Sequence, residues 1–297
     1  MRSHRPYTRE ASHAGSWYEG RQTALSSQLS NWLTMAGERD TGGRLKALVV
    51  PHAGYSYAGE TAAYAYKQID PEKYSRVFIF GPSHHVYLKR LCISGASVLE
   101  TPVGNLTVDE AVRSDLLRTG AFDVMSKRDD EEEHSLEMQL PYIAQIFGRR
   151  EGITVVPINT CSLISRSPHD YAQIFMPYFK DPTNLFVISS DFCHWGHRFN
   201  YQPYDPEKGR IHEYIEWLDK SAVALIEAHD VKGFVDYINN TKNTICGRDA
   251  IKLMLDLIQQ SDTSFQTRGL KYSQSSAATS MRDSSVSYVA AAVTEAH

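Results

Sequence analysis

Four cysteines, Cys92, Cys161, Cys193 and Cys246, are scattered through 297 residues with no C-x-x-C pair. Their spacing argues against a disulfide framework or a structural zinc knuckle and for reduced thiols. No apolar run reaches the length that crosses a bilayer, which gives no sign of membrane insertion. The opening Met1-Arg2-Ser3-His4-Arg5-Pro6 is not followed by a signal-peptide core, so the expected location is the cytoplasm, with the nucleus as a second possibility. A dense Lys/Arg block is missing too. With 31 basic against 35 acidic residues and a net charge of -4, nothing recommends nucleic acid or an anionic membrane surface as a partner. No H-E-x-x-H helix is present to mark a zinc hydrolase, and no fixed-period repeat or long disordered linker divides the chain. Hydrophobic residues make up 42%, consistent with one globular domain over residues 1–297.

Against these absences stand three short strand-like runs, Leu45-Lys46-Ala47-Leu48-Val49-Val50, Val77-Phe78-Ile79-Phe80 and Leu185-Phe186-Val187-Ile188. Each delivers a turn rich in polar side chains: Pro51-His52-Ala53-Gly54, Gly81-Pro82-Ser83-His84-His85, and Ser189-Ser190-Asp191-Phe192-Cys193-His194-Trp195-Gly196. Helical spacing at Leu25, Leu29, Trp32 and Leu33, and again over 59–66, 108–117, 211–228 and 250–258, alternates with the strands. A further strand closes the chain near 287–293. The alternation predicts an α/β fold, a single three-layer α/β/α domain around a central mixed, largely parallel sheet. In such sheets the crevice outside the strand ends is the usual ligand site, so the three turns are expected to converge there.

His52 and His84 follow their strands in equivalent positions. One such histidine is more often a structural hydrogen-bonding residue; two leave ligation and structure both open, and imidazole pairs suit iron, copper or zinc. Asp191 either ligates a metal, orients an imidazole or caps its turn, and His194 either acts as general acid/base or packs against Trp195. Cys246 lies at the entrance to a helix, where a thiol is acidified, though a lone cysteine is commonly a small buried hydrophobe. His134, with Glu133 and Glu137, reads as an acid/base group or a partner supporting the site. The run Asp129-Asp130-Glu131-Glu132-Glu133 reads as a solvated loop that charges a helix N-terminus. His85 is expected to point away from His84. His13, Trp17 and Tyr18 belong either to a pocket wall or, as the stronger reading, to the core.

Several of these motifs together resemble the Memo family, mediators of receptor-driven cell motility. The matching segments are Glu10-Ala11-Ser12-His13-Ala14-Gly15-Ser16-Trp17-Tyr18, Pro51-His52-Ala53-Gly54-Tyr55, Gly81-Pro82-Ser83-His84-His85 and Glu133-His134-Ser135, followed by 185–196, 243–248 and Asp283-Ser284-Ser285-Val286-Ser287-Tyr288. The resemblance spans almost the whole chain. It implies a fold similar to class III extradiol dioxygenases, which use nonheme iron, and it implies His52, His84 and Cys246 as metal ligands with Asp191 and His194 beside them. It also implies iron or copper as cofactor, redox chemistry, and a link to receptor tyrosine kinase signalling and cell migration through a phosphotyrosine-containing receptor or adaptor partner. The dioxygenases place a carboxylate where this chain has Cys246. A thiolate is softer, suits Cu(I) as well as iron and is itself oxidisable, which argues against ring cleavage. The leading expectation is therefore a cytosolic metal-binding redox protein. The alternative is a noncatalytic adaptor whose crevice takes a phosphotyrosine peptide, with Arg248 available to phosphate. A zinc hydrolase using Asp191 or His194 as base ranks last.

Overall fold

The three predominantly apolar runs form strands buried on both faces, as parallel strands covered by helices must be. Leu45–Val50 and Asn184–Ser189 are buried throughout, and Arg76–Pro82 is buried from Val77 onward. The computed structural model describes residues 7–39, 42–148, 150–164 and 170–296; the Met1 to Pro6 segment read above lies outside them. Among the described residues, the centre of a 12-stranded sheet runs in the order Thr154–Thr160, Arg76–Pro82, Asn184–Ser189, Leu45–Val50, Ser285–Glu295. The first four are parallel and the closing strand is antiparallel. This is the mixed, largely parallel sheet that the alternation predicts. Helix Tyr55–Tyr66 connects two parallel strands as expected, but Asn184–Ser189 is inserted between them. That insertion brings all three polar turns onto adjacent strand ends.

Period-two alternation divides the core into two layers. Ala47, Val49, Phe78, Phe80, Phe186 and Ile188 face one side, where helices Tyr171–Lys180, Ile211–Glu227 and Arg248–Gln260 contribute their apolar stripes. Leu48, Val50, Val77, Ile79, Leu185 and Val187 face the other, against helices Gln22–Met35, Tyr55–Tyr66 and Leu140–Phe147. Pro141 falls in the first turn of the last of these, where its missing N–H costs no helical bond. The result is one three-layer α/β/α domain. No helix among the described residues is long and apolar enough to cross a membrane.

Strand Phe265–Gln274 has no counterpart in the sequence reading. Its residues Phe-Gln-Thr-Arg-Gly-Leu-Lys-Tyr-Ser-Gln are mostly polar because, among the described strands, it pairs only with Ser285–Glu295, antiparallel, beyond the buried centre. A register shift between Gly269 and Lys271 interrupts its period further.

Candidate metal centre

Parallel register aligns Val50 with Ser189 and Phe80 with Ile188, so the chain leaves three neighbouring strands at the same edge. His52 follows Val50 by two residues and is 1% exposed. Its Nδ1 lies 2.7 Å from Ser189 Oγ. That hydroxyl donates to the Ser135 carbonyl at 2.7 Å and accepts from Gln139 Nε2 at 2.9 Å. With its one proton committed, Ser189 accepts from His52 Nδ1–H, which leaves Nε2 proton-free and facing inward. His84 is fixed by the same logic. Its Nδ1 donates to Glu133 Oε1 at 2.9 Å and its backbone N–H to Oε2 at 2.6 Å, leaving its own Nε2 available.

The third donor arrives from the opposite side. Residues 243–247 turn into helix Arg248–Gln260, and Cys246 Sγ lies 3.2 Å from His52 Nε2. This close approach requires glycine at 247: a Cβ there would lie 2.4 Å from both the Ser189 carbonyl oxygen and Ser190 Cβ. His52, His84 and Cys246 each present a ligand atom within 4.8 Å of the others. A tetrahedral ion with ordinary Zn–N and Zn–S lengths separates N and S donors by about 3.5 Å. The donor set, with both imidazoles already in the ligating tautomer, therefore fits a soft or borderline transition metal.

Asp191 and His194 flank these donors. Asp191 Oδ1 accepts the backbone N–H groups of His52 at 2.8 Å and Ala53 at 3.2 Å, while Oδ2 stands 4.0 Å from His52 Nε2. The Asp191 N–H donates to Cys246 Sγ at 3.2 Å. His194 Nδ1 donates to the Phe192 carbonyl at 2.8 Å, which leaves Nε2 free. Its backbone N–H donates to Thr244 Oγ1, joining the two turns that carry Asp191 and Cys246.

Burial sets the charge states. Burial, then the positive potential of His84, holds His52 well below the usual histidine range. Burial, reinforced by Asp191, pushes the Cys246 thiol up. The acidifying effect expected at a helix entrance is thus outweighed by desolvation. A cation entering this set meets a neutral His52 imidazole and releases the Cys246 thiol proton.

His134 is stacked between Trp17, at 4.4 Å between ring centroids, and His84, at 4.3 Å with the planes 17° apart. Burial and the neighbouring His52 and His84 push it down, so it is a neutral ring. His84, Glu133 and His134 also bring ligand atoms within 4.8 Å of one another. The two imidazoles stack face to face, however, so their in-plane lone pairs run alongside rather than converge. Glu133 moreover accepts from His84 twice and from the Ser135 N–H. We assign this trio to orienting His84. His85 is exposed, and its ring meets the edge of His134 at 6.3 Å.

The acidic run is corrected in part: Asp129 and Asp130 do charge the first turn of a helix, but the run is not a solvated loop. Residues Lys127–Glu132 form a helix, and Asp130 and Glu133 are 2% and 3% exposed. With Glu137, 0% exposed, they surround Arg9 and the N-terminal segment in place of solvent. Glu137 accepts from Arg9 Nη1 at 2.7 Å, from the backbone and Nδ1 of His13 at 2.9 and 2.8 Å, and from the Tyr18 hydroxyl at 2.7 Å. Those contacts hold His13 and Trp17 at the wall of the crevice; only Tyr18 is core. Burial alone would raise Glu137, but His13 and Arg9 outweigh it and hold the carboxyl below its ordinary 4.5. A depressed acid contributes stability above its unfolded value and loses it as pH falls through the folded value. We expect urea midpoints to fall below about pH 4.5, and Glu137→Gln to flatten that acid limb; an unchanged limb would count against this assignment.

The fold and these donors define a class: a three-layer α/β/α protein with a candidate two-histidine, one-thiolate centre at the edge of its parallel strands. A model of the Memo-like protein family matches residues 9–292. The chain is 45% identical over 295 residues to Protein MEMO1 of Xenopus tropicalis and 43% over 296 residues to Protein MEMO1 of Homo sapiens, in both cases covering 98% of this chain and 99% of the relative. It is 47% identical over 287 residues to Protein memo-1 homolog of Caenorhabditis elegans, covering 95% of this chain and 81% of the relative. The chain belongs to the Memo-like family.

Proposed function

We propose that this protein is a cytoplasmic metal-binding redox protein that holds iron or copper with His52, His84 and Cys246. The observation that carries the reading is the convergence of the three donor atoms, with both imidazole Nδ1 positions tied to protein acceptors. Bound iron or copper would supply one-electron redox chemistry. Asp191 fixes the His52 backbone, and His194 Nε2 offers a base at the crevice. Cys246 in place of a carboxylate argues against ring cleavage.

Elemental analysis of anaerobically prepared protein is expected to find stoichiometric iron or copper, lost in the variant combining His52→Ala, His84→Ala and Cys246→Ala. Unchanged metal content in that variant would sink the reading. The adaptor reading, in which the crevice takes a phosphotyrosine peptide from a signalling receptor or adaptor, draws support from the Trp17 ring, 38% exposed beside the imidazoles. Calorimetric titration with phosphorylated and unphosphorylated peptides tests it, and equal or absent binding removes it.

A further inference from the structure

An aspartate in the apolar stripe of an amphipathic helix is costly unless something needs it. Asp219 lies in Ile211–Glu227 among the buried Ile215, Leu218 and Ala222, and is itself 0% exposed. Its partners are neutral donors. Oδ1 accepts from the Cys193 backbone N–H at 3.2 Å and from Asn243 Nδ2 at 3.0 Å, and Oδ2 accepts from the Tyr272 hydroxyl at 3.1 Å. The same Tyr272 hydroxyl lies 3.2 Å from Ser287 Oγ, which brings the serine hydroxyl to the edge of the group. Burial pushes Asp219 up to about 6 against the pull of these bonds.

Two of the donors belong to the turns that build the candidate centre. Cys193 stands between Asp191 and His194, and its turn is stitched to the closing strand by Phe192 N–H to Ser287 O and Ser287 N–H to Cys193 O. Asn243 opens the turn that ends in Cys246. Its Nδ2 also donates to the Tyr237 hydroxyl, while its buried Oδ1 has no partner. Flipping the amide would aim that oxygen at the carboxylate. The orientation is thus dictated by Asp219, at the expense of an orphaned acceptor.

We propose that Asp219 is a positioning residue of the metal centre, a buried carboxylate that joins the Thr244–His194 bonds in fastening the Asp191–His194 turn and the Cys246 turn to each other. The inference rests on the metal-binding reading for its consequence, though not for its geometry. Asp219→Ala leaves the Cys193 N–H unpaired and Asn243 Nδ2 with its Tyr237 bond alone, and Asn243→Ala cuts only the Cys246 side. Asp219→Asn preserves an oxygen for those donors, and the Tyr272 hydroxyl can turn to accept from its NH2 group.

The test uses the full chain. Iodoacetamide alkylation of Cys246 in metal-free protein is followed by mass spectrometry, with Cu(I) and Fe(II) affinity read separately by chelator competition. Circular dichroism and urea midpoints fix conditions in which every variant is folded. Alkylation is expected to quicken severalfold and metal affinity to drop roughly tenfold in Asp219→Ala, less in Asn243→Ala, with Asp219→Asn restoring both. Wild-type alkylation and affinity in folded Asp219→Ala and Asn243→Ala would overturn the proposal, as would Asp219→Asn as impaired as Asp219→Ala. If the native chain takes up neither metal, the metal-binding reading fails, while the alkylation rates still decide whether Asp219 sets the position of Cys246.

Discussion

Replacing Arg9 with leucine is expected to remove about 3–5 kcal/mol of folding stability, the cost of leaving buried charges without their partner. The guanidinium is 2% exposed and donates to Glu137 Oε2 at 2.7 Å, Asp130 Oδ1 at 3.3 Å, and the carbonyls of Asp130 and Glu133 at 2.8 and 2.9 Å. Leucine would strand the Asp130 and Glu137 carboxyl groups in the interior and leave the carbonyls of Glu10, Asp130 and Glu133 short of a donor. Since native stabilities commonly lie at 5–15 kcal/mol, the variant would sit near the edge of folding. Urea unfolding at neutral pH measures the loss. Burial pushes Asp130 up even beside Arg9, so losing the guanidinium pushes it further in the same direction, and the part of the penalty that Asp130 carries shrinks as pH falls. Adding Glu137→Gln to Arg9→Leu should recover part of the deficit by neutralising one stranded charge. A loss below about 1 kcal/mol, the scale of a surface ion pair, would refute the burial argument.

The same network shows where sequence reading stops. The strands that carry His52, His84 and Asp191 were legible because short apolar runs ending in turn residues leave few other outcomes, and the edge they share follows from parallel connection. Cys246 was singled out by family resemblance; spacing alone left it a buried hydrophobe or a ligand. The acidic run misled because charge composition signals solvent, whereas its partner Arg9 lies 121 positions from Asp130. No local pattern announces such a pairing. Ser189 and Gln139, which set the His52 tautomer, are equally silent in sequence. Asp219 did leave a signal, a carboxylate at the apolar spacing of Ile215, Leu218, Ala222 and Ile226. Strand Phe265–Gln274 was hidden by its polarity, which its place beyond the buried centre permits.

Gly247→Ala is expected to weaken iron or copper binding by about a hundredfold while leaving the fold largely intact. The upper range for losing a partner outside the coordination sphere is 10–100-fold, and here a ligand itself is displaced. The backbone angle at Gly247 is ordinary, with φ at -87°, so the constraint is space. An alanine Cβ would stand 2.4 Å from the Ser189 carbonyl oxygen, part of a strand locked on both sides, and 2.4 Å from Ser190 Cβ. The strand does not yield, so the Cys246 turn must move away from it. That motion also stretches the Gly247 N–H bond to Ser190 Oγ, now 3.0 Å. A metal site tolerates ligand displacements of only about 0.2 Å, whereas relieving these contacts takes roughly 1 Å at ordinary carbon–carbon separations. Chelator competition for Cu(I) and Fe(II) measures the affinity, and far-UV circular dichroism shows whether the sheet and helices persist. Overpacking at one turn costs about 1–3 kcal/mol, so the variant remains folded where wild-type stability is ordinary. Wild-type affinity in folded Gly247→Ala would remove Cys246 from the ligand set and return the centre to its two imidazoles.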